Sequence, residues 1–77
     1  MSDMAKDCET IRAYLRDNKL SYVWLVHELN KRDLRVTPPR LGDVLTLRTR
    51  GWKSQQIILA CISIINRYER TYIRSPD

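Results

Sequence analysis

Apolar residues recur along this chain at helical rather than strand spacing. Met4, Cys8, Ile11 and Leu15 follow one another at intervals of four, three and four, one stripe of a 3.6-residue repeat, and predict a first helix over residues 3–17. Asp3, Asp7 and Glu9 gather in its first half, where carboxylates suit the positive end of the helix dipole. Asn18 is the expected left-handed stop. Ser21 then caps a second helix, residues 21–31, with Leu25, Val26 and Leu29 as a short apolar face and Trp24 packed on its flank.

Residues 32–36 carry no helical period and form a connection. Thr37-Pro38-Pro39 announces a third helix, because Thr is a good N-cap and proline is tolerated where the N–H has no intrahelical partner. Leu41, Val44 and Leu45 are its buried positions, and it is expected to end near Leu47. A basic loop follows, with Gly51 placed for a positive φ. Ser54 is the expected cap of a last helix running to about Tyr72. Its apolar positions, Ile57, Ile58, Cys61, Ile62, Ile64, Ile65, Tyr68 and Tyr72, make a face too wide for an ordinary surface helix. Either this helix is the centre of the bundle or a second subunit covers part of it, and Ile58, Ile62, Ile65, Tyr68 and Tyr72 are the dimer-interface candidates. The expected architecture is a single all-α domain of four main helices over residues 1–77.

Composition narrows the function. A chain of 77 residues builds a small core. The two cysteines, Cys8 and Cys61, lack the spacing of a zinc site and are expected to be buried, reduced thiols of a cytoplasmic protein. The longest apolar run, residues 57–65, is far shorter than a bilayer span, and residues 1–9 lack the apolar run of a secretory signal. His27 stands alone, no phosphate-cradling glycine loop is present, and no nucleophile has a base beside it in the sequence. No enzyme activity, cofactor, metal or membrane association is therefore expected.

Charge is the feature that points to a partner. Between residues 31 and 53 the cations Lys31, Arg32, Arg35, Arg40, Arg48, Arg50 and Lys53 face only Asp33 and Asp43, so the whole net charge of +5 lies there and the rest of the chain cancels. A localised basic stretch suits a polyphosphate partner, since each neutralised phosphate releases condensed counterions.

Residues 20–53 resemble the helix-turn-helix of the lambda repressor and Cro class, common among phage and bacterial regulators. Ser21, Tyr22, Val23, Trp24, Leu25 and Val26 stand where that class has a capping Ser or Thr, a polar residue and then Leu-Ala. Leu41-Gly42-Asp43-Val44-Leu45 matches its recognition helix, and residues 46–54 lie where it often has a Gly-, Lys- and Arg-rich connection. The turn here is several residues longer, and Tyr22 replaces the usual phosphate-contacting Gln. The resemblance implies a helix-turn-helix over residues 21–47 that binds double-stranded DNA as a dimer, with helix 37–47 in the major groove. Pro38, Pro39, Arg40 and Asp43 become the base-edge candidates, Arg40 toward guanine and Asp43 toward cytosine N4. Ser21, Tyr22, Arg35, Arg48, Arg50 and Lys53 become the phosphate candidates. Gly42 is expected to let the backbone approach the groove. A second reading, motivated by prolines at the reading positions and by two tryptophans, is a protein-binding inhibitor or antirepressor using Pro38, Pro39, Trp52 and the last helix.

Overall fold

The structure, a computed structural model, describes residues 4–70. They form four helices and no strand: α1 (Met4–Asp17), α2 (Tyr22–Lys31), α3 (Pro38–Leu45) and α4 (Trp52–Tyr68). The expected all-α, four-helix architecture is what the chain adopts.

α4 packs against each of the other three helices, while α3 also packs on α1 and α2. Ile57, Ile58, Cys61, Ile64 and Ile65 of α4 are buried against Cys8, Ile11 and Leu15 of α1, Leu25, Val26 and Leu29 of α2, and Leu41, Val44 and Leu45 of α3. The wide apolar face of the last helix is therefore used within one chain. Ile58 and Ile65, expected at a dimer surface, are core residues with 1% and 5% exposure. Tyr68 is half-buried, edge-on to Trp24 at 5.2 Å and to Tyr14 at 6.3 Å between ring centroids, and Ile62 is half-buried against the core. Tyr72 lies outside the described residues.

The first three helices end in the same way, and none uses a glycine. After α1, α2 and α3 a non-glycine residue takes a left-handed backbone: Lys19 (φ 56°), Asp33 (φ 64°) and Leu47 (φ 62°). The next N–H reaches back to the helix, from Leu20 to Leu15 O (2.8 Å), from Leu34 to Leu29 O (3.0 Å) and from Arg48 to Asp43 O (2.8 Å). Bonds from Lys19 to Arg16 O, Asp33 to Asn30 O and Leu47 to Val44 O complete three Schellman motifs, which satisfy carbonyls that a helix end would otherwise orphan. Leu20 and Leu34 then pack against the core and anchor each turn. This geometry corrects two expectations. The left-handed residue after α1 is Lys19 rather than Asn18, whose Nδ2 instead donates to Tyr14 O at 2.9 Å, and α3 stops at Leu45, two residues early.

The start of α4 departs too. Gly51, at φ 143° and ψ 179°, precedes the first helical residue, and Gln55 N–H bonds back to its carbonyl at 3.0 Å. Ser54 is consequently inside the helix, buried at 2% exposure, with Oγ 3.2 Å from Thr49 Oγ1. The glycine conformation, which other residues avoid, lets the chain turn into the helix three residues before the expected cap.

Two thiols and the Tyr14 hydroxyl also lie in this interior. Cys8 Sγ donates weakly to Val44 O at 3.6 Å, and burial raises its pKa. Burial, with a smaller contribution from Cys8, pushes the Cys61 thiol up to about 12. The Tyr14 hydroxyl is buried without a hydrogen-bond partner among the described residues, and its pKa is raised, first by burial and then by Glu69 and Tyr68.

Exchanging Lys19, an exposed left-handed residue, for glycine relieves the steric cost of Cβ there; Lys19→Gly is expected to raise unfolding free energy by up to about 1 kcal/mol in denaturant melts. The raised Cys61 pKa, in the same direction as those of Cys8 and Tyr14, makes the fold sensitive to alkali. Its folded value lies above the unfolded value near 9, so the unfolded chain loses the proton first and stability falls as pH rises from 9 toward 12. Chemical melts from pH 7 to 11 should show a plateau below pH 9 and a decline above it, shallower in Cys61→Ala.

Candidate nucleic-acid interface

α3 is a little over two turns of helix, one side of it exposed, between two basic segments. Thr37 caps it in extended conformation, its Oγ1 accepting from Arg40 N–H at 3.4 Å, with Pro38 and Pro39 at the first two positions. Those prolines have no N–H to offer, and the cap takes the third, so the N-terminus of α3 has little backbone donor capacity for a phosphate. Contacts by this helix must come from side chains.

Leu41, Val44 and Leu45 face the core, which turns Pro39, Asp43 and Thr46 outward at spacings of four and three, with Pro38 and Arg40 exposed on the flanks. Arg40 makes no ion pair with any described residue, and Asp43 is half-buried. Thr46 joins this surface although sequence reasoning passed over it. Its Oγ1 donates to Gly42 O at 2.8 Å, and the signal for it was the interval of seven from Pro39. Gly42 is half-buried for a different reason than expected. A Cβ there would lie 3.5 Å from Tyr22 Cε2, so the Tyr22 ring of α2 already covers this part of the α3 backbone.

The seven cations of the central stretch divide into two groups. Lys31 Nζ bonds to Glu28 Oε2 at 3.2 Å, and Arg32 Nη1 donates to Ser63 Oγ on α4 at 3.1 Å, so both turn toward α2 and α4. Arg35, Arg40, Arg48, Arg50 and Lys53 are exposed and pair with none of the described residues. Arg35 lies on the lead-in to α3, Arg48 and Arg50 on the loop after it, and Lys53 in the first turn of α4.

That first turn carries a second set of donors. Gly51 provides no side-chain cap, and the N–H groups of Trp52, Lys53 and Ser54 have no partner among the described residues. They open beside Arg48, Arg50 and Lys53 in sequence, at the positive end of a 17-residue helix. The Thr49–Ser54 hydrogen bond ties the basic loop to this turn. At the start of α2, Ser21 Oγ accepts from Trp24 N–H at 3.1 Å as the expected N-cap, and Tyr22 is half-buried on Gly42. No group of three or more His, Cys, Asp or Glu side chains able to hold a metal occurs among the described residues.

Comparison with known proteins adds no assignment: no family model matches the chain, and neither a curated protein nor a solved structure matches it significantly.

Proposed function

We propose that this protein is a DNA-binding regulator of the phage or mobile-element type, presenting α3 to the major groove. The observation that carries the reading is the group of five cations, Arg35, Arg40, Arg48, Arg50 and Lys53, exposed and unpaired among the described residues, on and at both ends of one short helix. α3 is about 12 Å long, the scale of the major-groove width. Arg40 supplies a bidentate donor for guanine, Asp43 an acceptor for cytosine N4, and the rings of Pro38 and Pro39 apolar contact for a thymine methyl. Arg48, Arg50, Lys53 and the uncapped amides of residues 52–54 supply phosphate contacts on one side, Arg35 on the other, with Ser21 and Tyr22 at the N-terminus of α2.

A single module of this size reads few base pairs, and a two-fold pair doubles the contact. The surface for that pairing is the outward face of α4. Residues 54–66 contain no charged side chain, Trp52 (68% exposed) and Leu59 (51%) lie on the side away from the core, and Ile62, half-buried against the core, borders them. In a chain with net charge +5, a charge-free face is where two copies can meet without like charges opposed.

The alternative, a protein-binding inhibitor, draws on the same exposed Trp52 and on Pro38 and Pro39. Salt dependence separates the two readings. On duplex DNA, Arg48→Ala, Arg50→Ala and Lys53→Ala should each weaken binding across all sequences and reduce the salt slope by about one unit. Arg40→Ala should relax preference at one base position, by roughly 1–3 kcal/mol. Absence of binding at low salt would remove the DNA reading and leave the inhibitor. For the pairing, Leu59→Glu should turn a concentration-dependent dimer into a monomer in sedimentation equilibrium while the monomer keeps its helical content.

A further inference from the structure

A second basic region lies away from α3. A groove of about 440 Å³ runs between α2 and α4, lined by Trp24, Glu28, Lys31, Arg32, Ile64, Arg67 and Tyr68. No residue of α3 or of the 46–51 loop lines it among the described residues.

We infer that this groove is a binding site for a small flat anion, an aromatic ring carrying a carboxylate or phosphate. Three cations stand around it against one carboxylate, and that carboxylate is already taken by Lys31 at 3.2 Å. Arg32 is held in place by its Nη1 bond to Ser63 Oγ, which leaves further guanidinium N–H groups to donate. Arg67 pairs with none of the described residues. Beside these cations are the Trp24 and Tyr68 rings, set edge-to-face at 75° and 5.2 Å, and the aliphatic Ile64. An aromatic pair and an aliphatic side chain receive a flat apolar body; a pre-oriented guanidinium and a second, exposed one receive an anionic group bidentately.

The volume falls within the roughly 300–1,000 Å³ of small-ligand pockets, which favours a compact molecule over a macromolecular partner. The site accounts for what the DNA reading leaves over, because Lys31 and Arg32 belong to the basic stretch of the sequence yet turn to α2 and α4. It does not depend on that reading, since neither α3 nor its flanking loop takes part. A bound anion would bridge α2 to α4 and resist their separation.

The test uses Trp52→Phe protein, in which Trp24 is the sole tryptophan and reports from the groove. Benzoate probes the carboxylate source, phenyl phosphate the phosphate source, and benzamide serves as the neutral control, all at constant ionic strength. The site predicts a saturable change in Trp24 emission with benzoate, phenyl phosphate or both, none with benzamide, and roughly tenfold weaker binding in Arg67→Ala. Arg32→Ala, checked for retained helicity, should weaken it similarly. An equal response to benzamide, no saturable response to either anion, or unchanged affinity in Arg67→Ala would overturn the inference. Displacement of the anion by stoichiometric duplex DNA would also overturn it, by making the groove part of the DNA surface.

Discussion

Burial of one side of α4 is the constraint around which the other helices are arranged. Ile57, Ile58, Cys61, Ile64 and Ile65 form a strip that α1, α2 and α3 all touch, and a 77-residue chain has no second core to replace it. Because the strip is consumed within the monomer, the outward side of the same helix becomes the surface whose character needs explaining. Trp52 and Leu59 lie there, exposed, in a stretch whose residues 54–66 are uncharged.

The same constraint fixes α3. Leu41, Val44 and Leu45 have no exposed surface, so rotation of this helix is set by the core and its remaining side is obliged to face solvent. Prolines at its first two positions remove the backbone donors by which helix N-termini usually bind phosphate. The donors reappear at the start of α4, where Gly51 leaves three amides uncapped beside Arg48, Arg50 and Lys53. The proposed interface thus divides its work: α3 carries side chains suited to base edges, and the turn into α4 carries charge and amides suited to phosphates.

Helix number and core were legible in the sequence because they rest on spacing. Every apolar position assigned to a buried stripe in the first three helices is at least half-buried. What spacing could not reveal was the conformation at the joints. Three helices stop on left-handed Lys19, Asp33 and Leu47, none of them the glycine usual there, held by 6→1 hydrogen bonds and, after the first two, by the packing of Leu20 and Leu34. Ser54 looked like a cap by type, but the positive φ of Gly51 advanced the helix and buried it. Of the proposed dimer residues, Ile58 and Ile65 could not be told from surface positions by periodicity, because a helix surrounded on three sides is apolar over most of its circumference. The division of the basic stretch was legible only in part. Lys31 and Glu28 form an i, i+3 pair within α2, which spacing allows, whereas the contact of Arg32 with Ser63, thirty-one positions along the chain, is set by tertiary packing.

If the α3 surface and its flanking cations read a DNA sequence, selection from a random duplex pool at several salt concentrations, followed by sequencing of the bound fraction, will show affinity that falls steeply with salt together with an enriched two-fold symmetric site, its half-sites about one helical turn apart. Retention of no duplex even at low salt, or retention without any enriched sequence, would contradict that reading.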